Sequence, residues 1–232
     1  MAELVTIDRR DDLTVLTADR PPANAMDVEL LQDLVAAVEA VAADPPPALV
    51  LAGRPGFFSA GADLKLVPSY GPEQQTEMVH GINRMALGVY SLPCPVVGAI
   101  TGHAIAGGFV LALCTDHRVA STAGRYGLTE VKVGVPYPQA AIGVVREELG
   151  AAAARVLGLG NRLIDAQECV RLGAFDEAVA PEEVLDRALA VARELAALPA
   201  EVYAMTKQAL RGDLIARLRA AAETDPLLAR WV

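Results

Sequence analysis

The 232 residues are 53% hydrophobic and 21% charged, with a formal net charge of −9. This length supports one well-packed core and is too short for two large domains. The negative charge and the lack of a basic run make nucleic acid an unfavourable partner.

The chain opens with a predicted β-hairpin. Leu4–Asp8 and Thr14–Ala18 alternate apolar and polar residues around a charged turn. An extended, proline-containing loop follows at Arg20–Met26. Asp27 is then placed to cap an amphipathic helix that reaches about Ala43.

Two apolar runs without polar alternation, Ala48–Ala52 and Val96–Ile100, predict strands that are buried on both faces. A loop at Gly56–Lys65 follows the first run, and a glycine loop from Gly102 follows the second. Helices are predicted at Glu73–Tyr90 and Gly107–Cys114. Val67–Gln75 is expected to be the least packed segment.

The remainder is mostly helical. Short strands are predicted at Arg118–Ala120, Arg125–Gly127 and Ala174–Val179, and a loop at Gly127–Pro138. Helices are predicted at Ala140–Leu149, Ala151–Leu157, Asp165–Leu172, Pro181–Ala197, Glu201–Leu210 and Asp213–Ala229. This order predicts an α/β core over residues 1–195, followed by a helical part over residues 196–232.

Cysteine spacing and hydropathy limit the kinds of site and the cellular compartment that can be expected. Cys94, Cys114 and Cys169 are widely spaced, which predicts no metal site and suits a reducing compartment. No run of about 18 apolar residues lacks charge, so no membrane span is expected. Met1–Leu4 carries no signal-like pattern, so we expect a cytoplasmic protein.

Two segments offer small side chains where a backbone N–H must approach another group closely. They are Ser59–Lys65 and Gly102–Val110. Two such donors aimed at one oxygen form an oxyanion hole, which stabilises a developing enolate or tetrahedral anion.

These segments resemble the signatures of the enoyl-CoA hydratase/isomerase (crotonase) superfamily. The matching stretches, in the family's order and spacing, are Phe57–Lys65, Thr101–Gly108, Asp116–Ala120 and Gly127–Gly134. The Arg20–Asp27 loop and Thr206–Leu210 also match, so the resemblance runs from about Leu4 to Leu210.

The resemblance implies a spiral of strand–strand–helix units with a helical C-terminal part, commonly assembled as a trimer or a dimer of trimers. It implies an acyl-CoA substrate and no separate cofactor, with coenzyme A entering as part of the thioester. The enolate would be stabilised by the N–H groups of Ala62 and Gly107. Implied substrate-binding positions are Ala23, Ala25, Ala60, Asp63, Leu64 and Lys65, with Val110 and Tyr137 at the acyl pocket.

The chain departs from the hydratases of this family at one of their two glutamates. Glu130 matches one position, but Val110 occupies the other, and Pro136–Gln139 replaces a glycine-rich segment. One carboxylate is sufficient to move a double bond, whereas hydration requires a water that is oriented and deprotonated. Isomerisation of enoyl-CoA is therefore favoured, and an enoyl-CoA hydratase or a non-catalytic acyl-CoA-binding protein are the alternatives.

Glu130 has two interpretations. It is either the acid/base of the reaction or a surface carboxylate paired with Lys132 or Arg125. In the first case, its pKa would be raised by an apolar pocket made of Val131, Val133, Val135 and Val110.

Other candidate positions also have a structural interpretation. Gly107–Gly108 suits close packing of a helix on a strand. Asp63 suits helix capping, and Lys65 suits a solvated surface position. His103 and His80 lack metal-type or triad spacing, so structural roles are favoured for both.

Overall fold

The computed structural model describes residues 4–232, so Met1–Glu3, part of the stretch inspected for a signal segment, lie outside it. The strands are β1 Val5–Arg9, β2 Thr14–Ala18, β3 Ala25–Met26, β4 Leu49–Ala52, β5 Gly56–Ser59, β6 Gly61–Ala62, β7 Val96–Ile100, β8 Gly102–Ile105, β9 His117–Ser121, β10 Tyr126–Gly127 and β11 Glu177–Val179. The helices are α1 Val28–Ala43, α2 Pro72–Tyr90, α3 Gly107–Leu113, α4 Glu130–Val133, α5 Gln139–Ala154, α6 Ala166–Arg171, α7 Val184–Ala196 and α8 Ala200–Glu223.

A six-stranded sheet in the order β1-β2-β4-β7-β9-β11 forms the main layer. The hairpin of β1 and β2 is antiparallel, as predicted, and the other pairs of this sheet are parallel. A second sheet, β10-β8-β5, and a two-stranded pair, β3-β6, lie beside it.

The strand–strand–helix unit recurs three times. The first strands, β4, β7 and β9, join the main sheet, and the second strands, β5, β8 and β10, join the smaller one. The helix that completes each unit is α2, α3 and α4, respectively. This spiral, with helices α5 to α8 towards the C-terminus, confirms the fold class that the resemblance implied.

The central strands β4 and β7 of the main sheet are buried on both faces. Along β4, Leu49 and Leu51 belong to the large core shared with helices α1, α2 and α5, whereas Val50 belongs to a second core against α7. Successive strand residues point to opposite faces, so an uninterrupted apolar run is what this position requires. The predicted buried strands β4 and β7 are confirmed.

Several predicted elements differ from the structure. The predicted loops after β4 and β7 contain the short strands β5, β6 and β8. Strands of two to four residues that include glycine have no recognisable alternation in the sequence. The predicted loop Gly127–Pro138 contains α4, and α8 continues through residues 211–212, where a break was predicted. Val67, in the segment expected to be least packed, is fully buried. The predicted boundary between residues 195 and 196 falls at the end of α7.

A partly buried charge network ties α8 to the core. Asp116 contacts Lys207 at 2.7 Å and Arg211 at 2.6 Å, and Arg211 also reaches Glu148 at 3.2 Å. Glu148 pairs in turn with the buried Arg118. Burial lowers the pKa of Lys207, and its pairing with Asp116 opposes this shift.

Asp116→Asn is expected to lower the free energy of unfolding by about 3 kcal/mol, because it leaves the buried Lys207 without a carboxylate and removes one of the two carboxylates that Arg211 contacts. Urea unfolding followed by circular dichroism measures this. Asp44→Asn is the control, since Asp44 pairs with Arg9 at an exposed position and should leave the midpoint nearly unchanged. Equal midpoints for both variants would contradict a stabilising role for the network.

No helix within residues 4–232 combines the length and apolar character needed to cross a bilayer.

Candidate active site

The start of α3 lies directly against the segment around β6. Gly61 has a φ of +77°, and a Cβ placed on it would lie 2.9 Å from the Gly107 nitrogen. A Cβ placed on Gly107 would lie 4.0 Å from the Ala62 nitrogen. The two segments that the sequence singled out therefore meet, and glycine is required at position 61 for that approach.

The amide nitrogens of Ala62 and Gly107 lie near each other. An amide nitrogen and the Cβ of the same residue are separated by about 2.5 Å, so the 4.0 Å contact places the two nitrogens within about 6.5 Å of each other. Donors that both contact one oxygen at about 2.7–3.1 Å are separated by about 6 Å at most, so a separation slightly below the upper limit is compatible with a shared oxygen.

The register of β6 frees the Ala62 amide. Ala62 pairs with Met26 of the parallel strand β3, and the Met26 carbonyl accepts from the Asp63 amide at 2.9 Å. Successive amides of a strand point to opposite sides. Because the Asp63 amide points towards β3, the Ala62 amide just before it points away from β3.

Ala106 orients the Gly107 amide through an unusual backbone conformation. Its φ is +54° and its ψ is −124°, a conformation that non-glycine residues rarely adopt. The Ala106 carbonyl accepts from the amides of Phe109 and Val110, inside α3. The Gly107 N–H belongs to the same planar trans peptide as the Ala106 carbonyl, so the two groups point in opposite directions. Since the carbonyl points into α3, the N–H points away from it. Strain of about 1–3 kcal/mol at such a residue is typical of functional sites.

Strand pairing brings Glu130 to the same place. Gly127 pairs with Ile105, and the Ala106 amide donates to the Gly127 carbonyl at 2.9 Å. Three residues further on, Glu130 begins α4 and is only 7% exposed. The surface interpretation of Glu130 is therefore wrong.

The partner of Glu130 is Tyr137, not Lys132 or Arg125. The Tyr137 hydroxyl donates to Oε2 of Glu130 at 2.7 Å. Burial raises the pKa of Glu130, and the bond from Tyr137 opposes the shift by stabilising the ionised form. Burial and the neighbouring carboxylate raise the pKa of Tyr137, so its hydroxyl stays protonated at neutral pH.

Ala62, Gly107 and Glu130 all line a cavity of about 60 Å³ that is partly open to solvent. It is lined by Met26, Ala60, Ala62, Leu64, Ile82, Ala106, Gly107, Val110, Thr129, Glu130, Val133, Val135, Pro136, Tyr137, Pro138, Ala141 and Trp231. Of the described residues that line it, Glu130 is the only carboxylate. Val131, which was expected in this setting, is 57% exposed and does not line the cavity.

The sequence profile of the family described as "Enoyl-CoA hydratase/isomerase" matches residues 8–229. The chain belongs to the enoyl-CoA hydratase/isomerase family.

Relatives within this family carry both names. A probable enoyl-CoA hydratase of Mycobacterium avium is 34% identical over 84% of this chain and 76% of its own length. The crystal structure of a probable enoyl-CoA hydratase from Mycobacterium tuberculosis has a TM-score of 0.89 at 34% identity, covering 95% of this chain and 93% of that one. The human mitochondrial delta3-delta2-enoyl-CoA isomerase has a TM-score of 0.87 at 26% identity, covering 95% and 88%.

The departure from the two-glutamate pattern of the family's hydratases lies inside the cavity. Val110 is three residues after Gly107 on α3, so it lies on the same side of the helix. Its side chain is fully buried and lines the cavity. A valine there neither accepts a proton nor orients a water.

The substrate-binding positions implied by the family resemblance divide into two groups. Ala60, Leu64 and Tyr137 line the cavity, as do Ala62, Gly107 and Val110. Ala23, Ala25, Asp63 and Lys65 do not line it. Asp63 pairs with Arg20 at 3.1 Å and accepts from the Lys65 amide at 3.2 Å, which is a turn-stabilising role. Lys65 is exposed. Contact of these four positions with coenzyme A remains a prediction.

The structural interpretation is correct for Gly108 and favoured for the histidines. A Cβ on Gly108 would lie 2.2 Å from the Ser59 carbonyl oxygen, so Gly108 serves close helix–strand packing. His103 packs against Phe57 with its ring tilted and the ring centroids 4.8 Å apart, and it accepts from the Arg125 amide at 3.0 Å. His80 lies in an outer groove between α1 and α2, not in the cavity.

Sequence reasoning missed part of the cavity wall. Ile82 of α2 lines the cavity, and no role at the site was predicted for it. Trp231 also lines the cavity and is 5% exposed. The 3.6-residue period could identify Ile82 as inward-facing, but no local signal locates the docking place of Trp231.

Within residues 4–232 no three His, Cys, Asp or Glu side chains are grouped so that they could hold a metal ion.

Proposed function

We propose that this protein moves the double bond of 3-enoyl-CoA to the 2-position, with Glu130 as the acid/base. The observation that carries the proposal is that, among residues 4–232, Glu130 is the one carboxylate lining a cavity that Ala62 and Gly107 also line. The family membership supports acyl-CoA as the substrate class.

The proposed reaction needs one proton carrier. The Glu130 carboxylate takes a proton from C2, and the electron pair moves through C1 to the thioester oxygen. The Ala62 and Gly107 amides stabilise that oxygen, each contributing about 3–4 kcal/mol in comparable sites. The protonated Glu130 then returns the proton to C4, and the new double bond lies between C2 and C3. No atom or electron is gained or lost.

Burial suits Glu130 to both halves of this cycle. Because burial raises its pKa, the carboxylate is a stronger base than an exposed glutamate and also holds the transferred proton more readily. Tyr137 fixes one carboxylate oxygen, which leaves the other for substrate.

Hydration is the second candidate, since relatives at 34% identity are named probable enoyl-CoA hydratases. It would require Glu130 to activate water without a second carboxylate, because Val110 stands at the other position. A non-catalytic acyl-CoA-binding protein is the third candidate.

Product analysis separates the three. The protein is incubated with trans-3-hexenoyl-CoA and, separately, with trans-2-hexenoyl-CoA, and the products are resolved by chromatography. We expect the 3-enoyl thioester to become 2-hexenoyl-CoA, with little 3-hydroxyhexanoyl-CoA from either. Accumulation of the 3-hydroxy product at a comparable rate would favour hydration, and binding without turnover would favour the third candidate.

Tyr137→Phe is expected to move the acidic limb of the pH profile of kcat/KM to higher pH. The reaction starts from ionised Glu130, so activity falls as the pH drops through its pKa. Removing the hydroxyl removes a bond that stabilises the ionised form, so that pKa rises further. Tyr203→Phe is the control, because it removes a hydroxyl bonded to Asp116, which does not line the cavity. A Tyr137→Phe profile superimposable on that of Tyr203→Phe would contradict the link.

The proposal includes a homotrimer or dimer of trimers and a cytoplasmic location. Exposed apolar side chains on α8, Val202, Met205 and Leu210, support burial against another subunit. Both features remain predictions.

A further inference from the structure

Trp231 forms part of the wall of the active-site cavity. It is the only tryptophan in the 232 residues, and it is 5% exposed. Its indole Nε1–H donates to the Pro136 carbonyl oxygen at 2.9 Å, next to Tyr137, which binds Glu130. The ring therefore has a fixed place beside the segment that holds the acid/base.

The segment that carries Trp231 is anchored on the helices around the cavity. Asp225 is 3% exposed, and its Oδ2 accepts from Asn83 at 3.0 Å and from the Gln139 amide at 2.8 Å. The Thr76 hydroxyl donates to the Leu228 carbonyl at 3.0 Å. These bonds hold the segment to α2 and to the start of α5, so the indole is a built part of the wall.

The wall around Trp231 is apolar. Ile82 of α2, Ala141 of α5 and Val135 line the cavity with it. The groups that suit the thioester, namely the amides of Ala62 and Gly107, come from β6 and the start of α3. An apolar wall built from other elements is suited to the hydrocarbon end of the substrate.

We propose that Trp231 determines acyl-chain specificity by closing the cavity at the end of the acyl chain, which restricts the protein to short acyl groups. The substrate class in this statement rests on the proposed function. The buried indole of Trp231, held by its hydrogen bond, cannot move aside without losing packing contacts. Each acyl methylene that exceeds the space in the cavity therefore weakens binding.

Binding of saturated thioesters tests this without turnover. Hexanoyl-CoA, dodecanoyl-CoA and free coenzyme A are titrated while the emission of Trp231 is followed. Hexanoyl-CoA is expected to change the emission, free coenzyme A to change it little, and dodecanoyl-CoA to bind at least about tenfold more weakly. Equal affinity for the two thioesters, or an emission unaffected by either, would overturn the proposal.

Two variants test the role of the ring. Trp231→Ala is expected to raise the ratio of kcat/KM for 3-dodecenoyl-CoA over 3-hexenoyl-CoA by about tenfold or more. Trp231→Phe keeps an aromatic ring but loses the bond to Pro136, and should keep the short-chain preference. Thermal unfolding verifies that both variants are folded. An unchanged ratio in folded Trp231→Ala, or an equal loss for both chain lengths, would overturn the proposal.

The outcomes separate this inference from the proposed reaction. Chain-length-dependent binding without turnover would remove isomerisation and leave the role of Trp231 supported. Normal isomerisation with an unchanged chain-length ratio in Trp231→Ala would remove the role of Trp231 alone.

Discussion

Glu130→Gln is expected to lower kcat/KM for trans-3-hexenoyl-CoA by about 10²–10⁴-fold while leaving the Kd for hexanoyl-CoA nearly unchanged. Glutamine keeps the size of the side chain and can still accept the bond from Tyr137, but it takes no proton from C2. Initial rates and equilibrium titration on the same preparation measure the two quantities.

The same variant should not lose stability. Burial raises the pKa of Glu130 in the folded state above its value in the unfolded chain, so the ionised form is disfavoured by folding. Its contribution to stability is fully present below the unfolded-state pKa and is lost as the pH rises through the folded-state pKa. At neutral pH, an uncharged glutamine is therefore expected to keep or raise the melting temperature.

Glu147→Gln is the matched control, since it makes the same change at an exposed position of α5, outside the cavity. It should leave kcat/KM at the wild-type value. A Glu130→Gln protein that is folded and nearly as active as this control would exclude Glu130 as the acid/base.

Gly61→Ala is expected to lower kcat/KM by at least about 100-fold, through displacement of one oxyanion donor. Its Cβ would lie 2.8 Å from the Ile105 carbonyl oxygen and 2.9 Å from the Gly107 nitrogen. Either the two segments separate or the methyl group covers the Gly107 amide, and both outcomes disrupt a shared oxyanion site.

Gly56→Ala separates this effect from backbone strain. Gly56 also has a positive φ, +83°, but a Cβ there meets nothing within 4 Å. Both variants incur the left-handed penalty of about 1–2 kcal/mol, and only Gly61→Ala reaches the amide pair. Activity is measured well below the melting temperature of each variant. Equal losses of kcat/KM in the two proteins would indicate that the contact between β6 and α3 has no special role.

The sequence predicted the structure best where a local residue pattern alone determines a helix or a strand. Asp27 caps α1 as predicted, with its side chain accepting from the Leu30 amide, and the unbroken apolar run of β4 is buried on both faces. These elements obey local rules of capping and periodicity.

The prediction failed where long-range contacts override local pattern. In α4 the charged Glu130 is buried while Val131 and Val133 are exposed, the reverse of what residue polarity favours. That inversion follows from the pairing of β10 with β8, which no local signal contains. The docking of Trp231 likewise depends on Asp225 reaching α2 and α5, more than 80 residues away in the chain.

The candidate site was predictable in its parts and not in its geometry. The family-like segments identified Ala62, Gly107 and Glu130, and the structure brings all three to one cavity. The contacts that set their relation, such as the Ala106 backbone conformation and the Tyr137 bond, involve residues with ordinary sequence signatures.

A crystal structure with hexanoyl-CoA bound tests the central claim most directly. The thioester oxygen is expected about 2.7–3.1 Å from the nitrogens of both Ala62 and Gly107, with the free Glu130 carboxylate oxygen beside C2 and C4. A thioester oxygen that contacts neither nitrogen, or a Glu130 side chain turned away from the acyl chain, would contradict it.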